Sequence, residues 1–139
     1  MSHATHDAFG LPLTLAHASS APAADDFTSG FVACEARVVN VLQAAGRDDS
    51  VFVQAAAAAI HLFAESRDAA AAARPFALRA LASPLPASGR ERRFARIVAA
   101  WGENDLPLAL RLLGEQLAAH PRDLVALKLA HYLLFNLGD

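Results

Sequence analysis

The chain has 139 residues, enough for one domain with a real hydrophobic core. Its 55% hydrophobic content is inflated by alanine, and 19% charged residues leave much of the surface apolar or paired. A net charge of −2 excludes the basic footprint of a nucleic-acid binder, and no stretch approaches the ~20 continuous apolar residues of a membrane span. Of the 12 cationic side chains only Lys128 is a lysine, and this Ala/Arg bias reads as a GC-rich bacterial coding style. The single cysteine, Cys34, excludes an internal disulfide. Its place in a helical apolar pattern predicts a buried structural thiol.

Residues 1–24 are rich in Ala, Ser, Pro and His, without a sustained period, and predict an extended or partly disordered arm. The apolar part of that arm, 11–24, lacks the cationic leader of an export signal, because the first cation is Arg37; a cytoplasmic location is expected. From Asp25 the pattern turns helical. Phe27, Phe31, Cys34, Val38, Val41 and Leu42 recur every three or four residues and predict one helix over 25–46, stopped at Gly46. A second helix is expected over 48–66 behind Asp48, Asp49 and Ser50. A third, over 67–83, must be kinked or divided at Pro75. After the loop 84–89, Phe94, Ile97, Val98 and Trp101 form one arc of a helix over 90–104, opposite Arg92, Arg93 and Arg96. The next helix, 105–120, has Asp105 as cap and Pro107 in its first turn, and Pro121 ends it. Asp123 is placed to start the last one. No alternating strand pattern stands out. The fold class predicted is all-α, with about six helices.

Successive helix pairs suggest a repeat. With Pro121 as a closing proline, a period of about 34 residues puts Ala109 at the small-residue position of a second helix and "END" (103–105) at the turn between helices. The same register makes 122–139 the first half of another repeat, with Gly138–Asp139 at its inter-helix turn. The run "RERRFARIVAAW", followed by "HPRDLVALKLAHYLLFNLGD", resembles the N-terminal part of the tetratricopeptide repeat protein 38-like family. Upstream, "DAFGLPLT" (7–14) resembles the Asp-x-x-Gly-x-Pro-Leu segment of that family, and "AAAAAIHLFAES" its early Ala-rich helix. The resemblance implies antiparallel helix pairs in a short right-handed α-solenoid over 25–139, with 90–121 the clearest repeat. It implies no reaction. Family members continue well past the Gly138–Asp139 turn, so something outside this sequence is expected to complete the last repeat.

Function is expected to follow from that last helix. Ala126, Leu127, Leu129, Ala130, Leu133, Leu134 and Leu137 share one arc, expected to pack on the preceding helix pair and on the missing next helix, and three or four of them left in water would forfeit about 1.5–3 kcal/mol each. Another polypeptide, most simply a second copy in a dimer, is therefore expected over Leu127, Ala130, Leu133, Leu134 and Leu137. In the repeat register Phe94, Trp101, Lys128, Tyr132 and Phe135, with His131 adjacent, would line a concave groove suited to a peptide or a small amphipathic ligand. That makes a ligand-binding or accessory enzyme subunit the rival reading. Arg92 and Arg96 are candidates to grip an anion. Six histidines are present, without the HExxH, paired or CxxC spacing of a metal site, and no phosphate loop or nucleophile elbow occurs. No metal, cofactor or catalytic residue is predicted.

Overall fold

The computed structural model describes residues 2–137; the expected turn at Gly138–Asp139 lies outside them. The described residues are mostly helical, with seven α-helices and one two-stranded sheet. The N-terminal segment is an ordered hairpin, which corrects the expectation of a chain without strands. Strand β1 (His3–His6) pairs antiparallel with β2 (Pro12–Leu15), His3 opposite Leu15. Within the strands only Leu13 and Leu15 turn into the core, with Leu11 buried just before β2, too short a signal to stand out as a strand.

A 3-10 turn leads into α1 (Ala21–Ala33), with Pro22 in its first turn, where a missing N–H costs nothing. The single helix expected over 25–46 is broken after α1. Cys34 takes a left-handed conformation (φ 59°), and the Glu35 N–H bonds back to the Gly30 carbonyl at 2.9 Å, the closing bond of a Schellman motif. Gly30 makes the reversal possible, since a Cβ there would meet the Val38 backbone nitrogen at 3.0 Å. Cys34 is exposed, not buried as expected, because a residue just past a helix end points away from the helix's inner face. Left-handed backbone disfavours any residue with a Cβ, so Cys34→Gly is expected to raise stability by up to about 1 kcal/mol. A thermal melt below that of the natural chain would instead show that the thiol's contacts outweigh the backbone cost.

After a second 3-10 turn, α2 (Asn40–Ala45) leads to α3 (Val51–Phe63), which is buried almost all round. The alanines at 55–59 let neighbouring elements approach it on every side. Next come α4 (Ala69–Ala82), α5 (Gly89–Gly102), α6 (Leu106–Ala119) and α7 (Leu124–Asn136). Pro75 does not divide α4: it is exposed, and water can satisfy the carbonyl its missing N–H leaves free. The later helices start at side-chain caps. Ser88 and Glu91 form a reciprocal capping box on α5, and Asp105 and Asp123 accept from Leu108 N–H and Ala126 N–H.

Aromatic contacts set the helix directions. Phe52 stacks on Phe94 and Phe63 meets Trp101 edge-on, so α3 and α5 run parallel. Arg90 meets Asp123 and Trp101 meets Tyr132, so α7 runs parallel beside α5. Between them α4 and α6 return antiparallel, with Ser83 bonded to the Asp49 carbonyl and Gln116 to the Arg90 carbonyl. Helix α1 lies across the inner face of α3, α5 and α7. Its Phe27 touches Phe52 and Phe94, its Phe31 touches Phe63, and its Val32 carbonyl accepts from Lys128.

Candidate functional site

The face expected to be an open groove is filled by the chain itself. Phe94 (5% exposed) is enclosed by Phe27 and Phe52, and Trp101 (9%) packs edge-on to Phe63. Tyr132, half-buried, stacks on Phe63 with ring centroids 4.3 Å apart, and burial raises its phenol above the usual value. His131 and Phe135 lie on the opposite, outer side of α7. Of the six groove candidates, Trp101 and Tyr132 meet each other, and Lys128 faces a different cavity. Periodicity places Phe94 and Trp101 on one face; α1, more than sixty residues upstream, covers Phe94, and Phe63 of α3 and Tyr132 of α7 pack against Trp101.

A buried polar seam ties the hairpin to α5, α6 and α7. Arg90 (3% exposed) donates to Asp7 Oδ2 at 2.9 Å, to Asp123 Oδ2 at 3.2 Å and to the Pro12 carbonyl at 2.7 Å, and its guanidinium lies over the Phe52 ring. Asp7 Oδ1 accepts from Phe9 N–H and Leu11 N–H, and Gly10 (φ 80°) lets the chain turn there. Gln116 donates to the Arg90 carbonyl and accepts from Arg93. Next to this, Glu91 (0% exposed) accepts from Thr14 N–H, Thr14 Oγ1, Ser88 N–H and Ser88 Oγ. Each charge has an opposite partner or several donors, the arrangement a buried ion requires. The seam gives a physical role to each marked position of "DAFGLP": Asp7 binds arginine, Gly10 turns the chain, and Pro12 offers its carbonyl. Sequence reading did not single out Arg90, whose only local signal is its place inside the Ser88–Glu91 capping box.

Two carboxylates on this N-terminal side titrate in opposite directions. Asp48, fully buried, accepts from Ser50 N–H, Ala16 N–H and His17 N–H. Burial alone would push its carboxyl up, but hydrogen bonds, those from Ser50 first, hold it below the usual value. Asp25 is raised, by burial first and then by the nearby charges of Asp7 and Asp26, and its Oδ1 is buried without a partner. Asp48 therefore adds stability above its unfolded value, about 3.9, and loses it as pH falls through the lower native value. Asp25 adds stability only below its unfolded value and loses it as pH rises through the higher native one. Asp48→Asn is expected to lower, and Asp25→Asn to raise, the urea midpoint at neutral pH. Both differences should shrink in acid; a pH-independent offset would show that the substitutions act through packing.

Two of the open apolar features lie on or beside α7. The first is a cavity of about 400 Å³ between the end of α1, α3 and α7, walled by Phe31, Val38, Val39, Ile60 and Phe63. Cys34 and Lys128 stand at its edge. The Lys128 ammonium donates to the Val32 carbonyl at 2.9 Å and to Cys34 Sγ at 2.7 Å, and lies 5.8 Å from the Phe31 ring centroid. A cation at the carbonyl end of a helix is favourable for the helix dipole. The second is the outer face of α7, where Phe135 is 81% exposed and Leu127, Leu134 and Leu137 are 38–45% exposed. Of the expected assembly set, Leu133 is fully buried within the chain and Ala130 half-buried, so the expected arc is split. Ala126, Leu129 and Leu133 turn inward with Val125, and Leu127, Leu134 and Leu137 turn out with Phe135.

Arg92 and Arg96 are exposed and line one small cavity with Val51, Ala80, Leu81 and Ala95; Arg92 also donates to the Leu85 carbonyl. Among the described residues, no group of three or more His, Cys, Asp or Glu side chains could hold a metal ion. No helix among them is long and apolar enough to cross a membrane. No family model, curated protein or solved structure matches the chain.

Proposed function

We propose that the chain is a non-enzymatic helical association module of tetratricopeptide-repeat type that assembles through the outer face of α7. The repeat reading is supported by the parallel run of α3, α5 and α7 with α4 and α6 returning between them, by the fully buried small residue Ala109 on α6, and by Pro121 closing the unit. In this reading α3–α4 and α5–α6 are the pairs of a short right-handed solenoid, and α7 opens the next pair.

The observation that carries the assembly role is the apolar stripe Leu127–Leu134–Phe135–Leu137. Clustered exposed side chains of this size mark interaction surfaces. A second copy of the chain is the preferred occupant. The stripe holds His131 but no Asp, Glu, Lys or Arg, so a two-fold pairing sets no like charges against each other. Light scattering behind size exclusion is expected to find a dimer at micromolar concentration. Leu134→Asp combined with Phe135→Asp is expected to give a folded monomer, because both side chains are already solvent-facing in the single chain. A natural chain that stays monomeric under those conditions would overturn the proposal.

A small amphipathic ligand in the cavity beside Lys128 is the second reading. It is supported by the near-absence of polar groups from the cavity walls and by the single ammonium at the edge.

A further inference from the structure

We propose that Cys34 and Lys128 form a reversible covalent crosslink through a single oxygen atom, Sγ–O–Nζ, when the protein meets dioxygen. This modification is independent of the assembly role above.

The inference starts from the 2.7 Å between Lys128 Nζ and Cys34 Sγ. An ordinary N–H···O hydrogen bond spans about 2.9 Å, and sulfur is a larger atom than oxygen, so this pair is closer than a hydrogen bond to a thiol calls for. One inserted oxygen bridges such a gap with ordinary single bonds, whereas a direct nitrogen–sulfur bond needs the two atoms to move much closer. Each partner is held by separate contacts. The Val32 carbonyl and the Phe31 ring fix the ammonium. The Schellman bonds to the Gly30 carbonyl fix the backbone of Cys34. Glu35, the residue after Cys34, is engaged by Arg37 at 2.7 Å. The thiol is exposed, so an oxidant can reach it, and the wall of Phe31, Val38, Ile60 and Phe63 stands beside the pair. Converting the ammonium into part of a neutral bridge also removes a charge from the edge of that apolar wall.

The step balances from the neutral thiol and amine. The S–H bond, one N–H bond and the O=O bond break; S–O and O–N bonds form, and the second oxygen leaves as water with both hydrogens. Sulfur and nitrogen each give up two electrons, and dioxygen takes all four. Two equivalents of a dithiol reductant supply four electrons and four protons, become two disulfides, and return the thiol, the amine and a second water. The bridge would tie the end of α1, which fills the inner face, to α7.

Lys128 is the only lysine and Cys34 the only cysteine, which makes the product easy to read. The full chain is held in oxygen-saturated buffer and followed by intact-mass spectrometry and digestion with a lysine-specific protease. The expected product gains one oxygen, loses two hydrogens and resists cleavage at Lys128. Dithiothreitol restores both mass and cleavage, and Cys34→Ser or Lys128→Arg abolishes the product. Any of four results would overturn the proposal: an unchanged mass, gains of whole oxygen atoms with cleavage intact, loss of two hydrogens without oxygen, or a disulfide-linked dimer. The natural chain decides the matter alone, whatever the folding of the variants.

Discussion

Arg90→Ala is expected to cost about 3–5 kcal/mol of folding stability, a large part of the roughly 5–15 kcal/mol that holds a domain of this size together. The guanidinium is almost fully buried and binds two carboxylates, Asp7 and Asp123, and the Pro12 carbonyl. Removing it leaves both carboxylates buried beside each other without a cation. The damage should be selective. Asp7 holds the hairpin and Asp123 caps α7, so the strands and the start of α7 should lose protection from hydrogen exchange before α3 does. Asp7→Asn in the Arg90→Ala background should recover part of the loss by removing one orphaned charge. Urea denaturation of the single and double variants checks this. Additive losses would show that Asp7 and Arg90 contribute independently, contrary to the contact.

Phe27→Ala is expected to be comparably severe, about 3–5 kcal/mol. Phe27 is fully buried; it touches Phe31 on its own helix and joins α1 to two rings beyond it, Phe52 of α3 and Phe94 of α5. Its loss opens a cavity and weakens the hold of α1 on the inner face. Phe94 and Phe52 should then become reachable, so the variant is expected to bind an apolar dye under conditions where the natural chain does not. Dye binding without loss of helical signal would show that α1 covers an otherwise formed face. A cooperative collapse of the whole signal would show that α1 is required to form it.

Much of the helical framework was legible in the sequence. Asp105 and Asp123 mark helix starts by the backbone N–H groups their side chains accept from, and Pro107 by lacking an N–H where the first turn would leave it unpaired. The arc Phe94–Ile97–Val98–Trp101 is buried as its spacing predicts. Other features lie beyond local spacing. The apolar spacing continues through Cys34 to Val38, while the helix stop before it is written only in the closeness of Gly30 to the returning backbone. The hairpin does not stand out because its alternation, Leu11, Leu13 and Leu15, spans only five residues. The arc of α7 is divided between inside and outside, with Ala126, Leu129 and Leu133 buried in the chain and Leu127, Leu134 and Leu137 exposed, and spacing alone does not say where that division falls.

The amino-acid order by itself determined where most of the later helices start and which residues share a face, because capping and periodicity act over only a few neighbouring residues. The tertiary structure decided what covers each face. Phe94 became core because α1 lies on it; Arg90 became the centre of a buried seam because Asp7 and Asp123 converge on it; and Cys34 met Lys128 across 94 positions of chain. Such pairings depend on the packing of whole elements, to which local spacing is blind. Phe135 stayed in water because no residue in the described chain reaches the outer face of α7 to cover it.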